Sequence, residues 1–118
     1  MSFKEGLEQI TAKLDDARAV AIVDVDGILV EEHRVDATVD IQAVVAEYSA
    51  LLSVADKASR SIDLGPSQEV TALTDKGAIV IRAITNEYFL LLITLPDCNI
   101  GRGRFFLKQY AAAFAEEM

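Results

Sequence analysis

The sequence predicts an α+β domain: a five-stranded antiparallel sheet sandwiched by helices, in the order α-β-β-α-β-β-β-α. An almost wholly apolar run, Ala19 to Val25, leads into the turn-forming pair Asp26-Gly27, and a strand that is apolar on both faces needs a covering layer on each side. One long helical stripe follows. After Gly65-Pro66 come three apolar runs separated by short polar turns, the pattern of a meander.

Phe3, Leu7, Ile10 and Leu14 recur at spacings of four, three and four, with Lys4, Glu5, Glu8 and Lys13 between them. That is one buried stripe of a short amphipathic helix. Ala19 to Val25 is the central strand, Asp26-Gly27 turns the chain because both residues tolerate positive φ, and Ile28 to Glu31 returns. Asp40 is placed to cap the long helix by accepting from its first free amides. Ile41, Val44, Val45, Tyr48, Leu51, Leu52, Ala55 and Ala58 then hold one face for several turns, and Gly65-Pro66 ends the helix.

The meander is expected at Gln68 to Thr74, Ala78 to Thr85 and Tyr88 to Leu95, with turns at Asp75-Lys76-Gly77 and Asn86-Glu87. The last two strands are rich in Ile, Val and Leu and belong in the middle of the sheet. Gln68 to Thr74 interleaves Glu69 and Thr71 with Val70 and Leu73, which suits a half-exposed edge open to a second copy. Pro96-Asp97 breaks the sheet, and Gly101 to Glu117 brings Phe106, Tyr110 and Phe114 onto one face of a closing helix that covers it.

A chain of 118 residues fits one domain, residues 1–118. Eleven Lys and Arg against 19 Asp and Glu give a net charge of −8, which repels phosphate backbones and anionic lipid; neither nucleic acid nor a membrane surface is an expected partner. The single cysteine, Cys98, allows no intramolecular disulfide, and without a leader or a long apolar span the expected location is cytoplasmic. Hydrophobic residues make up 52% of the chain, an excess that points to a face covered by another subunit.

Chemistry-bearing motifs are sparse. Asp24-Val-Asp-Gly27 at the end of an apolar strand resembles the nucleophile motif of haloacid dehalogenase-like phosphatases, in which the first Asp attacks phosphorus and the second serves as acid and base. Here Ile28 stands where that motif has a hydroxyl residue, and the next segment returns directly as a strand. A hairpin turn is the simpler account of Asp24 and Asp26. His33 beside Glu31, Glu32 and Asp36 has no second His or paired Cys to complete a transition-metal site. Cys98 has no nearby histidine to activate it, and Gly101-Arg-Gly103 with Arg104 lacks the Lys-Ser/Thr ending of a phosphate loop. No catalytic residue, metal or cofactor is expected.

Taken together, the order, lengths and punctuation of the elements resemble the Roadblock domain family, which includes dynein light chains of the Roadblock type, bacterial regulators of Ras-like GTPases in gliding motility, and scaffold subunits of endosomal signalling complexes. The resemblance spans essentially the whole chain. It is most specific at Ala19 to Gly27, at Leu64-Gly65, and at Leu90 to Arg102 with its Asn-x-Gly-x approach to the last helix.

The resemblance implies a Roadblock/profilin-like fold and a homodimer in which the third strand pairs with its mate through Glu69, Val70, Thr71, Ala72 and Leu73. It further implies that the paired long helices form a platform for a Ras-like small GTPase, with no arginine finger supplied. By helical position alone, the contacting residues would be Gln42, Glu47, Ser49, Asp56, Lys57 and Arg60; Arg60 has a plainer role as a cation near a helix C-terminus. The expected function is thus a non-catalytic homodimeric interaction module that binds and regulates a small GTPase. The alternative is a structural adaptor in a larger motor or signalling complex.

Overall fold

The computed structural model describes residues 1–118. Its elements are α1 (Phe3–Lys13), β1 (Ala17–Asp24), β2 (Leu29–Arg34), α2 (Ile41–Ser61), β3 (Glu69–Thr74), β4 (Gly77–Ala83), β5 (Tyr88–Thr94) and α3 (Ile100–Ala115). The strands form one antiparallel sheet in the order β2-β1-β5-β4-β3. The expected element order and helical sandwich are both present.

Alternation along the strands builds two cores. Val20 and Ile22 of β1, Val80 of β4, and Leu90 and Leu92 of β5 face α1 and α3, where they meet Leu7, Ile10, Leu107, Tyr110 and Phe114. Ala19, Ala21, Val23, Ile81, Phe89, Leu91 and Ile93 face the other way and meet Ile41, Val45 and Leu52 of α2. The helices start where polar side chains can satisfy free amides: Ser2, Asp40 and Asn99 accept from Glu5, Ala43 and Arg102.

Four local expectations change. Only Gly27 of the hairpin turn has positive φ, +83°; Asp26 does not need it, because the Asp24 carboxylate accepts from the amides of both Asp26 and Ile28 at 2.9 Å and braces the turn. That engagement is also the structural role of Asp24. β2 runs on to Arg34 instead of ending at Glu31, since an edge strand accommodates charged side chains. Consequently Glu31, Glu32 and His33 lie along a strand, and no group of three potential metal ligands converges anywhere in the chain.

α2 ends at Ser61, ahead of Gly65-Pro66. Asp63 takes the left-handed conformation at φ 62°, and the amides of Asp63 and Leu64 bond to the carbonyls of Arg60 and Ser59, a Schellman closure without glycine. Ala58, expected on the buried stripe, is exposed; burial along α2 fades after Leu52.

The β3–β4 turn depends on Gly77. Its φ is +146°, and a Cβ there would sit 2.2 Å from the carbonyl oxygen of Thr94. Gly77→Ala is expected to cost roughly 1–3 kcal/mol through this backbone clash, read as a lower urea midpoint at unchanged slope.

Candidate partner-binding surfaces

The outer edge of β3 and the outward face of α2 both lack a partner within the chain. On β3, the amide of Ala83 bonds to the carbonyl of Gln68, and Glu69 lies opposite Arg82. Antiparallel alternation then turns the N–H and C=O groups of Val70, Ala72 and Thr74 toward β4, and those of Glu69, Thr71 and Leu73 outward. The edge therefore offers three residues' worth of main-chain donors and acceptors. Thr71 is exposed, and Leu73 is 74% exposed on the same strand face.

The opposite edge, β2, is treated differently. The amide of Glu32 donates to the carboxylate of its neighbour Glu31 at 3.2 Å, and the carbonyl of Glu32 accepts from Lys4 Nζ at 2.5 Å. A register shift, with Ile22 opposite Glu31 and Val23 opposite Leu29, further breaks the line of this edge. One edge of the sheet is guarded and the other is open.

The five β3 residues expected at an interface divide by face. Val70 packs on the α2 core, and Ala72, two residues on, shares its face. The Glu69 side chain lies between Arg82 and Arg104, 3.7 Å from the first and in a short contact with the second, so it ties the start of β3 to α3. Thr71 and Leu73 are left as the accessible side chains.

The six candidate residues of α2 separate as well. Gln42, Glu47 and Lys57 stand exposed. Ser49, Asp56 and Arg60 instead line a groove of about 640 Å³ between α2 and the end of the sheet, with Ser53, Arg82, Asn86 and Tyr88 among its other walls. The Asp56 carboxylate accepts from the amide of Ser67 at 2.9 Å and from Arg60 Nε at 2.9 Å. Asp56 and Arg60 thus brace the α2–β3 loop, a role that helical position could not reveal. Ser59 adds to this brace by donating to the carbonyl of Gly65.

The outward face of α2 also contains residues that charge-based reading passes over: Ala43, Ala46 and Ala50 are exposed, and Val54 is 63% exposed. Their spacing of three, four and four was visible in the sequence as a stripe of small apolar residues.

Two carboxylates are held below the ordinary range. Asp36 is lowered to about 2, first by the Thr38 hydroxyl and amide and then by the Arg18 guanidinium, which together fix the β2–α2 loop. Asp56 is lowered by the Ser67 amide and then by Arg60.

Comparison with known proteins gives the family of this chain. The model of the Roadblock/LC7 domain matches residues 5–94. The chain belongs to the Roadblock/LC7 domain family. Among solved structures it is similar to MglC from Myxococcus xanthus, at 31% identity over 100% of both chains with a TM-score of 0.71. A Roadblock/LC7 domain from Streptomyces avermitilis superposes with a TM-score of 0.86 at 12% identity, covering 99% of this chain and 98% of that one. Myxococcus xanthus MglB gives 0.83 at 13% identity, covering 98% and 96%. The fold class is Roadblock/profilin-like. No curated protein matches the sequence significantly. No helix is long and apolar enough to cross a membrane.

Because both lowered carboxylates are charged in the fold, their contribution to stability is complete above the unfolded value of 3.8 and is lost as pH falls through the folded value, between 3.8 and about 2 for Asp36. For Asp56 the sign is the same. Asp56→Asn is expected to flatten the acid limb of the stability profile and to speed hydrogen exchange at the Ser67 amide, both measurable by NMR across pH 2–6 (approximate range).

Proposed function

We propose that this protein is a non-catalytic homodimeric Roadblock module that binds and regulates a Ras-like small GTPase. The observation that carries the reading is the asymmetry of the sheet edges: β2 is guarded while β3 leaves Glu69, Thr71 and Leu73 unpaired beside the exposed face of α2. Antiparallel pairing of β3 with its mate about Thr71 would use all three outward residues and set Glu69 against Leu73 of the partner subunit. It would also bring the two α2 helices to one side of a continuous sheet. Gln42, Glu47 and Lys57 would then be the polar contacts available to a GTPase. Resemblance to the bacterial regulators of such GTPases supports this reading.

A second reading, a structural adaptor without effect on nucleotide turnover, is supported by a separate observation. Two of the charged candidates on α2, Asp56 and Arg60, are engaged with each other and with the α2–β3 loop, and much of the remaining face is alanine and valine. Such a surface favours close helix contact over polar recognition.

Purified protein incubated with native lysate in GDP or in a non-hydrolysable GTP analogue separates the two. Nucleotide-dependent recovery of a small GTPase, followed by changed GTP turnover, is the expected result; recovery of large-assembly subunits indifferent to nucleotide would move the function to the adaptor.

Leu73→Pro removes an outward donor and leaves the β3–β4 ladder intact, so it is expected to give a folded monomer by light scattering with stability close to that of the wild type. Val70→Asp, in contrast, places a carboxylate against the α2 core and is expected to lower stability by about 2 kcal/mol or more in urea unfolding. A monomeric wild type at micromolar concentration would refute the dimer.

A further inference from the structure

We propose that the outer face of α3 is a second docking surface, one that takes an acidic segment of a partner protein bearing an apolar anchor residue. The chain carries a net charge of −8, yet no acidic residue occurs between Asp97 and Glu116, while Arg102, Arg104 and Lys108 all lie on α3. Lys13 of α1 joins them, its Nζ 5.5 Å from the Phe106 ring centroid and 5.0 Å from that of Tyr110. The Arg102 guanidinium lies 5.1 Å from the same Phe106 ring. Of these four cations only Arg104 has a carboxylate partner, Glu69.

The placement of these charges opposes the helix that carries them. Arg102 and Arg104 occupy the N-terminal half of α3, where the macrodipole is already positive, Lys108 sits at its middle, and Glu116 and Glu117 follow its negative end. Helix stability does not explain such an arrangement. In the middle of the cationic stretch Phe105 is 60% exposed, edge-on to Phe106 at 5.1 Å between centroids. An exposed aromatic ring beside uncompensated cations is complementary to a segment that combines carboxylates with an aliphatic or aromatic side chain. An anionic bilayer fits less well: the protein as a whole repels it, and four cations, one already paired, make a weak polybasic cluster.

α3 covers the sheet face opposite α2. A segment docked on α3 therefore leaves the α2 face free, and the two surfaces can be occupied together.

The test is fluorescence anisotropy of the full chain with a fluorescein-labelled peptide of about twelve residues, rich in Asp and Glu with Leu and Phe four positions apart. A control peptide carries Asn and Gln in place of the acids. The expected result is binding of the acidic peptide only, weakened about tenfold in Lys108→Glu and in Phe105→Ser and unchanged in Lys57→Glu on α2. Both α3 positions are exposed, and circular dichroism melts confirm that the variants fold. Equal affinity of wild type and α3 variants, or no binding at low salt, would overturn the proposal. So would stronger binding to phosphatidylserine vesicles than to the peptide, which would give the face to a lipid surface. Salt-sensitive oligomer growth abolished by Lys108→Glu would give it to a second copy and equally overturn the proposal. Failure to recover a GTPase through α2 leaves this result unaffected.

Discussion

The pairing of β1 with β5 at the centre of the sheet governs everything around it. These two strands register from Ala17 opposite Thr94 to Asp24 opposite Tyr88, and between those ends nearly every side chain is apolar. Because successive residues point to opposite faces, the pair presents an apolar surface on both sides at once. One layer of helix could not cover it. α1 and α3 take one face and α2 the other, and the polar residues are displaced to the two edge strands and the outer faces of the helices. The surfaces available to partners are therefore a by-product of how the centre is buried.

Most of the architecture was legible in the sequence because it follows from periodicity. The stripe Phe3, Leu7, Ile10 fixes α1, the unbroken run after Ala19 marks a central strand, and Asp40 is a capping residue recognisable by type. What escaped was determined by contacts between distant parts of the chain. Glu32-His33-Arg34 carries no strand pattern of its own and is held in β2 by pairing with β1 and by Lys4, 28 residues away from Glu32. The end of α2 lies in an αL aspartate where glycine would be the ordinary signal.

The candidate site was legible only in part, for the same reason. Helical angle places Asp56 and Arg60 on an exposed flank, yet the path of the loop between α2 and β3 turns them into braces for that loop. Likewise Glu69 looks like a solvated edge residue until α3, 35 residues further on, delivers Arg104 to it. The open edge itself was foreseen because alternation of polar and apolar residues on β3 is a local property. The guard on the other edge was not, because it is assembled from side chains of two elements.

That guard determines how far association along the sheet can run. If two copies join through β3, the resulting ten strands end in β2 on both sides, and each end has its outward carbonyl and amide at Glu32 already occupied by Lys4 and Glu31. A further strand added at either end would have to displace the first turn of α1 and a neighbouring carboxylate from Glu32. In such a pair each copy would bring both the joining edge, β3, and an edge at which Glu32 resists a further strand.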